Sequence, residues 1–147
     1  SDSGDTSRKT GPVKVASSRS VNAYKALGID LCLLANNHVT DGGSRGVIDT
    51  IDTLDKADIR NIGAGVDENS IPRYIVENIG KRRVAFYNVC ETMYNAPGAD
   101  TPGTWLYDEY VVCNDIVRLR QECDYIIEEI GKEYFLPSKI LDILCKR

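Results

Sequence analysis

The feature that most constrains this chain is the stretch from Gly28 to Gly43, GIDLCLLANNHVTDGG. An apolar run, Ile29 to Leu34, is broken only by Asp30 and delivers Ala35-Asn36-Asn37-His38 to its end. This pattern predicts a buried strand over Ile29–Leu34 that places polar side chains at its carboxyl end, where open α/β sheets bind their ligands. His38 is the only histidine among 147 residues. On periodicity alone the cluster also reads as a loop cap, with Asn and His satisfying backbone groups at a strand end.

The surrounding chain supports an α/β reading. Ser17 or Ser18 can cap a helix to about Leu27, with Val21, Tyr24 and Leu27 on one face and Gly28 as its stop. Gly42-Gly43 makes a turn, and Ser44 can cap a second helix with the stripe Val47, Ile51, Leu54 and Ala57. Asp49, Asp52 and Asp55 fall on the opposite side and read as a solvated face, not a metal site. Ile59–Ile62 is a short strand, and Gly63-Ala64-Gly65 is expected to be a turn. Ile71–Ile79 and Val84–Val89 read as a hairpin about Gly80–Arg83, the second strand being central. Glu91–Gly103 is a long loop rich in Gly and Pro. A helix over Asn114–Cys123, a strand over Asp124–Ile127 and a last helix over Pro137–Cys145 complete the order. The expected fold is a mixed β-sheet flanked by helices, in one domain over 1–147. Residues 1–12 form a polar arm of it, with Val13 and Val15 opening an extended piece of the 13–147 core.

Composition excludes several classes. A formal net charge of -4 argues against nucleic-acid binding, and the Lys81-Arg82-Arg83 cluster belongs to a turn. Nothing spans a membrane, because no run of about 18 apolar residues occurs. The five cysteines are scattered without a CxxC pair, which excludes a zinc-knuckle pattern. They read as free buried thiols of a reducing compartment, hence a cytoplasmic expectation.

LGIDLCLLANNHVTDGGSRGVIDTIDTLDKADIRNIGAG, and more weakly KRRVAFYNVCE and ECDYII, resemble the bacterial CapA family, named for poly-γ-glutamate capsule biosynthesis. That family is similar to the calcineurin-like metallophosphoesterases. The resemblance implies an αββα sandwich and a dinuclear centre of divalent metal (Mn, Zn or Fe). It implies Asn37 as a metal ligand, His38 as the catalytic acid, and Asn36 and Asp41 as supporting loop residues. The chemistry is coherent, since two metals can clamp an in-line displacement while an imidazole moves a proton near neutral pH. This chain departs from the pattern. The family's early Gly-Asp and Asn-Leu-Glu ligand segments are not matched, and Gly4-Asp5 lies in the polar arm. No histidine follows Asp124-Tyr125-Ile126-Ile127, and no Gly-His-x-His motif precedes Arg147. The chain is therefore expected to be a partial domain, truncated at both ends, with an incomplete metal site. Open sheet edges would then favour a homo-oligomer or domain-swapped dimer. The alternatives are a non-catalytic interaction or structural module that oligomerises through those edges, and a small-ligand binder at Asn36–His38.

Overall fold

A computed structural model describes residues 13–91 and 96–131. The expected extended piece at Val13 and Val15 is exposed and joins no strand ladder. Ser17 caps a 3-10 turn, Ser18–Ser20, which leads into α1 (Val21–Ala26). Gly28, at φ +69°, ends the helix with paired bonds: its N–H donates to the Lys25 carbonyl at 3.1 Å, and that of Ile29 to the Tyr24 carbonyl at 3.0 Å. Strand β1 (Leu31–Leu33) follows. It is shorter than the apolar run, and only half-buried where a buried strand was expected.

Helix α2 (Gly43–Lys56) is capped at Gly42 without a side-chain bond, so Ser44 lies inside the helix and not at its cap. Its stripe packs as the sequence indicates: Leu54, Ala57 and Ile59 form a cluster with Val21, Cys32 and Leu34. The opposite face is wet, with Asp49 paired to Arg45 at 2.8 Å and Asp55 accepting from Asn61 at 3.1 Å. Strand β2 (Arg60–Ile62) runs parallel to β1 and completes a βαβ unit. The Gly-Ala-Gly segment is not simply a turn. Gly63 turns at φ +89°, but β3 (Ala64–Gly65) pairs antiparallel with β6 (Gly103–Thr104).

The hairpin joins β4 (Tyr74–Ile79) to β5 (Arg82–Cys90) through Gly80-Lys81, with Gly80 at φ +63°. Helix α3 (Glu109–Glu122) starts five residues before the expected position, because Asp108 caps it by accepting from the Val111 N–H at 3.0 Å. Strand β7 (Tyr125–Gly131) runs on past Ile127 and pairs parallel with β5, giving the order β4-β5-β7 with β5 central. The expected helix over Pro137–Cys145 lies outside the described residues. The architecture is α/β, with three sheets of mixed orientation among the described residues.

One face of the β4-β5-β7 sheet carries the main core: Ala85, Tyr87 and Val89 pack on Val112, Ile116 and Leu119 of α3. Asp115 braces this layer, accepting from Arg73 Nε at 2.8 Å and from the Tyr87 hydroxyl at 3.0 Å. The Arg73 guanidinium lies 4.6 Å from the Trp105 ring centre. The other face turns toward β1. There Ile29, Leu31, Leu33, Ile79 and Phe86 line an open groove of about 700 Å³, bridged at its rim by an Arg60–Glu77 ion pair. No helix among the described residues is long and apolar enough to cross a membrane.

Candidate functional site

The Asn-Asn-His loop leaves β1 at Ala35, which is fully buried. The Leu34 N–H still bonds to the Ile62 carbonyl of β2 at 2.8 Å. The Ala35 N–H instead donates to Asn88 Oδ1, on the inner face of β5, at 2.7 Å. Two glycines make room. A Cβ on Gly63 would lie 2.2 Å from Asn88 Oδ1 and 2.8 Å from the Ala35 Cβ. A Cβ on Gly131 would lie 2.1 Å from the Ala35 carbonyl oxygen. The carboxyl ends of two parallel pairs, β1–β2 and β5–β7, thus converge on one residue, immediately before the polar loop.

The loop then closes on itself. Asn36 Oδ1 accepts from the His38 N–H at 2.9 Å, an Asx turn, and its Nδ2 donates to the Leu34 carbonyl at 3.3 Å. His38 Nδ1 lies 2.8 Å from Asp41 Oδ2, and Asp41 is fully buried. The Lys14 N–H also donates to that oxygen, at 2.6 Å, tying the segment before α1 to the loop. With Asp41 as a carboxylate, Nδ1 carries the proton and Nε2 becomes the nitrogen that accepts or gives one. His38, Asn36, Lys14, Gly42, Gly46 and Thr50 border a small cavity of about 180 Å³.

The structure links three of the four residues that the sequence singled out, Asn36, His38 and Asp41. Asn36 shapes the loop, His38 and Asp41 form a pair, and Asn37, half-buried, lies in the same loop between Asn36 and His38 in sequence. Sequence reasoning missed Asn88, Gly131 and Glu129. Asn88 Nδ2 donates to the Glu129 carbonyl at 3.2 Å and to its carboxylate. Burial pushes the Glu129 carboxyl above its ordinary range, against the opposing pull of that Asn88 bond. A polar residue in an otherwise apolar strand, VAFYNVC, was the available signal for Asn88.

The donor set of the described residues does not by itself make up a dinuclear metal centre. Among the described residues, no group of three or more His, Cys, Asp or Glu side chains could hold an ion. Asn36 Oδ1 is also engaged by the His38 N–H, and Asp41 Oδ2 by the Lys14 N–H and His38 Nδ1. The Glu91 N–H bonds to the Gly131 carbonyl at 2.9 Å, its Oε2 is buried without a partner among the described residues, and it takes no part in the His38–Asp41 pair.

The chain matches the bacterial capsule synthesis protein family PGA_cap over residues 1–131. The chain belongs to this family. Among its curated relatives is a probable polyglutamine synthesis accessory protein of Mycobacterium tuberculosis, 37% identical over 92 residues, which are 58% of this chain and 24% of the relative. Another is the capsule biosynthesis protein CapA of Bacillus anthracis, 37% identical over 70 residues, 48% of this chain and 17% of the relative. The matched region is thus a quarter or less of these relatives' length. Within the PGA_cap match lies every residue of the convergence just described, from Lys14 to Gly131.

Proposed function

We propose that this PGA_cap chain acts in the synthesis of a bacterial capsule polymer of the poly-γ-glutamate type, through a site to which it contributes the Ala35–Asp41 loop. Family membership and the names of the relatives support the role. The observation that carries the site is the His38–Asp41 pair, in the loop that starts where the carboxyl ends of the parallel pairs β1–β2 and β5–β7 meet. In this reading His38 is the proton donor and acceptor, Asp41 orients it, and Asn36 sets the turn. A divalent ion at Asn37 (manganese, zinc or iron) enters only where ligands beyond the described residues join it. The test is His38→Ala in the intact protein in its host, with surface polymer measured against wild type and a gene deletion. Loss of most polymer, as in the deletion, is expected, since a positioned acid–base group contributes about 10²–10⁴-fold in rate. Polymer at the wild-type level would overturn the site.

The open groove favours one further element of the reading. Strand β1 pairs with β2 alone among the described residues, and Leu31 and Leu33 line the groove beside it. Antiparallel pairing of β1 with β1 of a second copy, centred on Cys32, would set Asp30 opposite Leu34 and bring no like charges together. Light scattering across a dilution series tests it: a dimer that Leu33→Lys dissociates is expected, and a monomer at high concentration contradicts it.

A further inference from the structure

Asn88 is fully buried in the central strand of the main sheet, among apolar neighbours. A buried amide is costly there unless each polar atom finds a partner. Its side-chain hydrogen bonds go to two places. Its Oδ1 receives the Ala35 N–H at 2.7 Å, and its Nδ2 reaches the Glu129 carbonyl and carboxylate on β7. The donor at Ala35 fixes which way the amide faces. Successive amides of a strand point to opposite edges, and Leu34 gives its own to β2. The Ala35 amide therefore faces away from β2, and Asn88 replaces the neighbouring strand that β1 lacks on that side among the described residues.

We propose that Asn88 is a positioning residue for the Ala35–Asp41 loop, with Glu129 holding the nitrogen end of its amide. It acts one residue before Asn36 and three before His38, so the loop's origin is referred to β5 and not to the short strand β1. Gly63 and Gly131 are the space this arrangement requires. The proposal rests on reading that loop as the working part of the site, but its test does not depend on polymer synthesis or on metal.

The experiment is residue-resolved amide exchange on the full chain. Asn88→Ala should speed exchange over residues 34–40 by about tenfold while β4, β5 and β7 stay within about twofold, the signature of local opening. Asn88→Asp keeps the acceptor for Ala35 but sets a carboxylate against Glu129. It should also loosen the loop, and Glu129→Gln in the same chain should restore exchange to within about threefold of wild type by supplying a donor. An unchanged loop in Asn88→Ala would overturn the proposal. So would a uniform rise across the sheet, or an Asn88→Asp defect that Glu129→Gln does not repair. If Asn88→Ala does not fold, the Asn88→Asp and Glu129→Gln pair decides alone. Loop loosening with normal polymer from Asn88→Ala in the host would count against the proposed function and leave the positioning role standing.

Discussion

The two faces of the β4-β5-β7 sheet are built differently. The face under α3 is closed: Tyr87 and Val89 are fully buried, Leu119 is 2% exposed, and Asp115 ties Arg73 and Tyr87 into one network. The face toward β1 is open. Ile79, Tyr125 and Ile127 are about half exposed, and the facing sheet has two three-residue strands. Helix α1, beyond it, buries no residue, and Leu27 at its end is 76% exposed. Stability should therefore concentrate in the α3 half. The loop bearing His38 leaves the weaker half, yet it is fastened to the stronger one by Asn88 and the close approach at Gly131.

The largest expected effect separates the halves directly. Leu119→Ala should cost about 2–5 kcal/mol in urea unfolding, as for a buried leucine whose neighbours relax little. Leu33→Ala, on the groove side, should cost about 1 kcal/mol, since less area leaves water there. Equal losses would mean that the faces are packed alike. Next comes the junction. Gly131→Ala drives a Cβ into the Ala35 backbone and should cost about 1–3 kcal/mol. Gly80→Ala, in open space at φ +63°, should cost only about 1 kcal/mol for its left-handed backbone. Thermal unfolding of the two variants checks that order.

A smaller effect comes from within the closed face. Glu128 lies in register with Tyr87 there, and its Oε1 is buried without a partner among the described residues. Burial raises the Glu128 carboxyl above its ordinary range. The folded state therefore holds the proton more tightly, so this side chain lowers stability as pH rises above the unfolded carboxylate value. Glu128→Leu should gain about 1–2 kcal/mol at pH 7 by removing an unsatisfied group, and the gain should shrink toward pH 4. Denaturant midpoints at both pH values test it; a gain independent of pH would contradict the burial argument. The smallest effect is expected at the groove lip, where Ile79→Ser should change stability by no more than about 0.5 kcal/mol.

Where local rules decide the structure, the sequence was readable. The Gly28 stop, the α2 stripe and the Gly80 hairpin all follow from φ preference and periodicity. The first turn of α3 was missed because Tyr110, Val111 and Val112 favour strand, while the Asp108 cap overrides them. The apolar run that marks strand β7 ends at Ile127, yet the parallel ladder to β5 also carries Glu128 and Glu129. The β3–β6 pair depends on a partner about 40 residues away, which no local pattern reports. Asn36, Asn37 and His38 stood out as one polar cluster, and Asp41 entered only through the family resemblance. Asn88 was not, because its purpose lies in a contact with Ala35, 53 positions away.

The most direct test of this account is native-state amide exchange on the unaltered 147-residue chain. The account predicts the slowest exchange in β5 and α3, faster exchange in α1 and β1, and an Ala35 amide protected like those of β5. A β1 as protected as β5, or an Ala35 amide that exchanges like an open loop, would contradict it.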